Sequence, residues 1–145
     1  MPVRVLLVEP VGRTTKDLQE LKGATLATVK GTTYEALLSS VPDASFLYAG
    51  SEDEQFELVA SGRARALAAD SAVAFHLVSR YPGLKLGIPL TPEQGFGFAF
   101  PKGSALAGTF SSYLERLKGS NIFYTLVQKH LGKEAVQAIK GGRKD

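Results

Sequence analysis

Two short stretches carry residue types that together can recognise a small zwitterion. The first is Lys30-Gly31-Thr32-Thr33-Tyr34-Glu35, which follows the alternating run Thr25–Val29. Gly31 permits a sharp turn, and Thr32-x-x-Glu35 has the spacing of a capping box, so the pattern predicts a strand, a turn and a helix start. The unpaired amides and the positive dipole end of such a helix favour a carboxylate or phosphate. Thr32 and Thr33 also fit the simpler role of starting the helix, which is what most capping boxes do. The second stretch is Asp70, which closes the small-residue run Ala64–Ala69. An aspartate there can cap the next helix or accept an ammonium through charge-assisted hydrogen bonds. One loop thus offers donors to an anion and the other a carboxylate to a cation, a pair that suits a free amino acid.

Other chemistries find less support. The 145 residues contain no cysteine, which removes disulfides, thiol nucleophiles and thiolate metal sites. His76 and His130 lack companions at ligand spacing, so no metal is expected. Glu52-Asp53-Glu54 reads as a helix start favoured by the dipole, and no nucleophile–base pair is present, so the chain does not read as an enzyme and calls for no cofactor. The net charge of +3 is concentrated in the tail Lys140–Asp145, which contributes +2 through three basic residues and one acid. A nearly neutral body without a basic stripe argues against nucleic-acid binding. No apolar run is long enough to span a bilayer, and no secretory signal is evident; the expectation is either a cytoplasmic protein or a chain that begins after a removed export signal.

The elements that must position the two loops can be read in order. Val3–Val8 is a buried strand, Asp17–Leu21 a helical turn, Thr25–Val29 the strand before the first loop, and Tyr34–Ser40 a helix ended by Pro42. Ser45–Tyr48 is a strand, and Ser51-x-x-Glu54 opens a helix with Phe56, Val59 and Ala60 at helical spacing. Asp70 starts a helix through Val73 and Leu77, Leu84–Leu90 is a strand, and Phe96–Phe100 alternates like another. Thereafter the period becomes helical: Ser104 caps a helix with Leu106, Phe110, Tyr113, Leu114 and Leu117 on one face, and a second helix presents Phe123, Leu126, Val127 and either His130 or Leu131. Glu134–Ile139 reads as a weak last helix. Alternation of strands and helices predicts an α/β fold, a mainly parallel sheet flanked by helices, with ligands outside the carboxyl ends of its strands.

The order of Leu21-Lys-Gly-Ala-Thr-Leu-Ala-Thr-Val-Lys-Gly-Thr-Thr-Tyr-Glu35, then Leu58-Val-Ala-Ser-Gly-Arg-Ala-Arg-Ala-Leu-Ala-Ala-Asp70, then Gly95-Phe-Gly-Phe-Ala-Phe-Pro-Lys-Gly-Ser104 resembles the periplasmic polar amino-acid-binding proteins of ABC transporters, extracellular solute-binding protein family 3. The resemblance runs over roughly residues 15 to 132 and implies a lobe of the periplasmic-binding-protein type II fold. It implies that Thr32, Thr33 and Tyr34 contribute ligand contacts, the threonines at the carboxylate, and that Asp70 grips the α-ammonium. It further implies a membrane permease of the ABC transporter as partner and a periplasmic location.

The chain departs from the family in two places. Only about twenty residues precede the Leu-Lys-Gly strand, where the family has a first lobe with a binding arginine. Arg65 replaces an aspartate usual in the family, at a position that reads as structural. The expected organisation is a single α/β domain over residues 1–145: a second-lobe core at 15–95, a return strand and terminal helices at 96–132, and a basic tail at 140–145. With no first lobe to receive them, the terminal helices are expected to pack on the remaining lobe or to form a homodimer, and Val3–Val8 is placed at a sheet edge. Two functions follow: a solute-binding component or isolated lobe that takes a polar amino acid, or a ligand-free interaction module that keeps the fold.

Overall fold

A computed structural model describes residues 2–141; most of the basic tail, residues 142–145, lies outside the described residues. Contacts divide the chain into two compact units, Val3–Gln94 and, from Gly95 onward, the rest of the described chain with Pro2.

In the first unit, five strands form one sheet. They are β2 (Val5–Pro10), β3 (Thr25–Val29), β4 (Ser45–Ala49), β5 (Ala66–Asp70) and β6 (Leu84–Pro89), and the two-residue strands β1 (Pro2–Val3) and β7 (Gln94–Gly95) lie outside it. The order is β4-β3-β5-β2-β6, with β3 parallel to β4 and β5, and β2 antiparallel to β5 and β6. Four strands therefore share a direction and β2 opposes them, the mainly parallel arrangement expected. The Val3–Val8 run, however, is interior rather than at an edge. Val5, Leu7 and Val8 point to both faces and are all buried, and each side of β2 has a ladder partner, so an edge position would waste both.

Alternation along the strands divides the core. Ala27, Leu67, Ala69 and Val8 face α2 (Glu52–Ala60) and α3 (Ser71–Val78), with Phe56, Val59, Ala74 and Leu77 completing that cluster. Leu26, Ala66, Ala68 and Leu7 face the other way, onto Leu38 of α1 (Thr33–Leu38) and Leu21 of a preceding 3-10 turn. Within α2 the buried set is Gln55, Phe56, Leu58 and Val59, while Ala60 is exposed, so the apolar face is rotated from the expected one.

The second unit contains α4 (Leu106–Leu117) and α5 (Asn121–Gly141). Gly132 interrupts α5 at φ 87°, ψ 174°, a conformation that side chains with a Cβ avoid, so the last turns form a separate segment. Phe96–Phe100 makes no strand. Phe98 and Phe100 instead turn their rings against Phe110, at centroid distances of 4.7 and 5.6 Å, and this local aromatic packing replaces a ladder. The N-cap of α4 is Ala105, without a side-chain cap bond, rather than Ser104; Ser104 lies one residue earlier, where its Oγ accepts from the Leu106 amide at 3.3 Å. Among the described residues, no helix is long and apolar enough to cross a membrane.

Candidate functional site

β3 and β5 are parallel neighbours, so the loops that leave their carboxyl ends emerge on the same edge of the sheet. Their pairing is short, Leu26 with Ala66 and Ala27 with Leu67. Beyond it the buried Gln55 side chain donates to both Ala27 O and Ala68 O at 3.1 Å, so one amide holds the two strands together beneath the loops. Nearby, the fully buried Thr28 hydroxyl has no hydrogen-bond partner among the described residues. Neither feature was visible in the sequence. A glutamine within an apolar helix face was the available signal.

The first loop is shaped by its own side chains. Gly31 turns at φ 77°, which lets the chain leave β3 and enter α1 within three residues. Thr32 Oγ1 accepts from the Glu35 amide at 3.3 Å and donates to Val29 O at 2.7 Å. The Glu35 carboxylate accepts from the Gly31 amide at 2.6 Å and from the Tyr48 hydroxyl at 2.8 Å. These bonds, the Gly31 amide first, hold the Glu35 carboxyl below its ordinary range. The capping box is therefore formed, with the glutamate reaching one residue further back than usual. Thr32 spends its side chain inside the turn. Thr33 and Tyr34 precede the first helical bond, Ala36 N to Thr32 O, so their amides have no intrahelical acceptor.

Asp70 occupies the second loop as the N-cap of α3. Its Oδ1 accepts from the amides of Ala72 and Val73 at 2.9 and 3.1 Å. Its Oδ2 accepts from the Tyr34 hydroxyl at 3.1 Å, and the Asp70 amide donates back to that hydroxyl at 3.4 Å. Tyr34 and Asp70, 36 residues apart, are thus brought together. Burial, then the Asp70 charge, pushes the Tyr34 phenol up to about 12, so it stays a proton donor. No lysine, arginine or histidine among the described residues forms an ion pair with Asp70. The half-buried carboxylate is held only by neutral donors.

The Thr33 side chain makes no hydrogen bond to this pair among the described residues. It is exposed and lines an open groove of about 390 Å³ with Val5, Ala36, Leu37, Thr91 and Gln94, none of which is Tyr34 or Asp70. Of the four residues singled out, the side chains of two meet, one is consumed by its own turn, and one borders a neighbouring surface.

Arg65 stands at the opposite end of β5. Its guanidinium donates to Glu9 Oε2 and Thr15 Oγ1, both at 3.1 Å, and Thr15 adds an amide and a hydroxyl bond to Glu9 at 3.1 and 2.8 Å. Glu9 is fully buried, and Lys85 Nζ lies 3.7 Å from it. Burial pushes the Glu9 carboxyl up, but the Thr15 and Arg65 bonds outweigh that and keep it below its ordinary range. His76 and His130 are both exposed, and no group of three metal-ligating side chains is found among the described residues.

Comparison with known proteins puts this geometry in context. No family model matches the chain. The ABC transporter glutamine-binding protein GlnH of Bacillus subtilis (strain 168) is 28% identical over 130 residues, which is 87% of this chain and 47% of that protein. Among solved structures, the solute receptors for L-cysteine of Neisseria gonorrhoeae match with a TM-score of 0.69 and 28% identity over 90% of this chain and 55% of theirs. Holo ArgBP from T. maritima matches with a TM-score of 0.66 and 27% identity over 89% and 58%. The chain spans about half the length of the curated relative it matches. By sequence and by fold, the resemblance to the amino-acid solute-binding proteins of ABC transporters is borne out over the greater part of this chain.

Proposed function

We propose that this chain is a solute-binding component, or one lobe of one, in an amino-acid ABC transport system, and that it binds a polar amino acid reversibly. The observation that carries the reading is the Asp70 carboxylate, which sits at the carboxyl edge of the sheet with neutral donors and, among the described residues, no cation paired to it. An α-ammonium supplies the missing charge through a charge-assisted hydrogen bond. The first-turn amides of Thr33 and Tyr34, which have no intrahelical acceptor, are the donors this reading gives to the α-carboxylate, and Thr32 shapes the turn that presents them. Recognition by these groups involves no covalent step. A membrane permease of the transporter is the macromolecular partner this role calls for, and the periplasm or cell exterior is its compartment.

One lobe offers one wall of contacts, and affinity near 1 mM corresponds to about 4 kcal/mol of binding. A thermal-shift screen of polar amino acids at about 10 mM tests the reading. With that affinity, linkage gives roughly 1.4 kcal/mol of stabilisation and a rise of about 3 °C in Tm. Such a rise with at least one amino acid, absent in Asp70→Ala, is expected; no rise with any of them contradicts it.

A second reading is an interaction module that associates with itself. It is favoured by the exposure of Leu106, Tyr113, Ile122 and Leu126 on α4 and α5, at 45–66% of each residue's surface. Light scattering that returns twice the chain mass at micromolar concentration supports it, and a monomer contradicts it.

A further inference from the structure

We propose that Tyr34 is an internal competitor for Asp70: its hydroxyl holds one of the two Oδ2 positions on the carboxylate that a ligand ammonium could take, and a ligand gains the full Oδ2 oxygen only when the phenol leaves. The inference rests on the reading of Asp70 as the ammonium site. A carboxylate offers about four acceptor positions. Two on Oδ1 are committed to the fixed amides of Ala72 and Val73, which belong to the α3 cap and cannot leave without fraying the helix. The two positions on Oδ2 remain for a ligand, and the Tyr34 hydroxyl already occupies one of them at 3.1 Å.

The same hydroxyl accepts from the Asp70 amide at 3.4 Å, so phenol and aspartate are joined twice. Tyr34 stands on the first turn of α1, half-buried against the Leu26–Leu38 cluster, which limits where the ring can rest. Its phenol stays protonated at any physiological pH, so the donor is always present. An ammonium displaces the phenol because both partners of its bond are charged, whereas in the phenol's bond only the carboxylate is. A neutral amine or hydroxyl has no such advantage. Tyr34 would therefore lower affinity for every ligand while sharpening selection for cationic ones.

Calorimetric titration of the chain with L-glutamine and with L-arginine, for wild type and Tyr34→Phe, tests this. Phenylalanine keeps the ring's packing and removes only the hydroxyl. The expected result is an affinity about tenfold higher in Tyr34→Phe, the size of a hydrogen bond to a charged group. Binding that is unchanged or weaker in Tyr34→Phe overturns the competitor while leaving the ammonium site standing. If neither protein binds either amino acid, the ammonium-site reading fails and the competitor with it. Ultraviolet titration of the phenols supplies a ligand-free readout. The phenol missing from Tyr34→Phe should ionise at lower pH in Asp70→Asn than in wild type, and an unchanged transition overturns the contact itself.

Discussion

The two ends of β5 carry opposite solutions to the same problem, a charged side chain at the rim of a sheet. At the amino end, Arg65 meets Glu9 and Thr15, and every charge there has a charged or hydroxyl partner in place. At the carboxyl end, the Asp70 carboxylate has, among the described residues, two amides and a phenol as partners. The first arrangement is complete within the fold. The second is complete in hydrogen bonds but not in charge, which is the condition for accepting a cation from outside. Four residues of one strand thus separate a structural clamp from a candidate binding site, and the contrast lies in which partners surround each charge rather than in burial alone.

Breaking the clamp should have the largest effect on stability. Glu9→Ala leaves Arg65 facing a buried gap, and since Glu9 is fully buried while the Arg65 side chain is 25% exposed, the loss should be about 3 kcal/mol, near the low end for a severed buried pair, read from the urea midpoint. Gln55→Leu removes the bridge between β3 and β5 and leaves two buried carbonyls without that donor, a loss of about 2 kcal/mol by the same assay. Asp70→Ala should cost only about 1 kcal/mol, the worth of a helix cap, while removing amino-acid binding. Equal stability losses at the two ends would erase the distinction drawn between them.

The smallest expected effect is on acid sensitivity. Glu9 has a folded pKa held below its unfolded value, so its contribution is present in full above the ordinary carboxylate range and is lost as pH falls through the lowered value. Between about pH 7 and about pH 3, wild type should lose more stability than Glu9→Gln, because the variant has no proton to take up at this site. A variant that loses as much as wild type would show that the clamp does not titrate with folding.

Much of this contrast was readable before any coordinates, and the failures have physical causes. Thr32-x-x-Glu35 and Asp70 announced two helix starts after two strands, and both caps form. The parallel run of β3 and β5 followed from helical crossovers between them. The place of β2 did not. An apolar run buried on both faces has no period that separates an interior strand from an edge, and its antiparallel direction depends on long-range pairing with β5 and β6. Phe96–Phe100 misled for the converse reason, since alternation predicts a strand only when a neighbour supplies hydrogen bonds, and here the rings pack on Phe110. The resemblance counts Tyr34 among the ligand contacts, but its bond to Asp70 spans 36 residues, and no local pattern encodes that distance.

The central claim is that Asp70 accepts an ammonium. It is tested most directly by following backbone amide resonances of the wild-type chain during titration with L-glutamine and, separately, with N-acetyl-L-glutamine, which has the same side chain and carboxylate but no ammonium. The account predicts shifts at Ala72, Val73 and Tyr34 that saturate with the free amino acid and are absent with the acetylated one. Equal shifts with both compounds, or none with either, would contradict it.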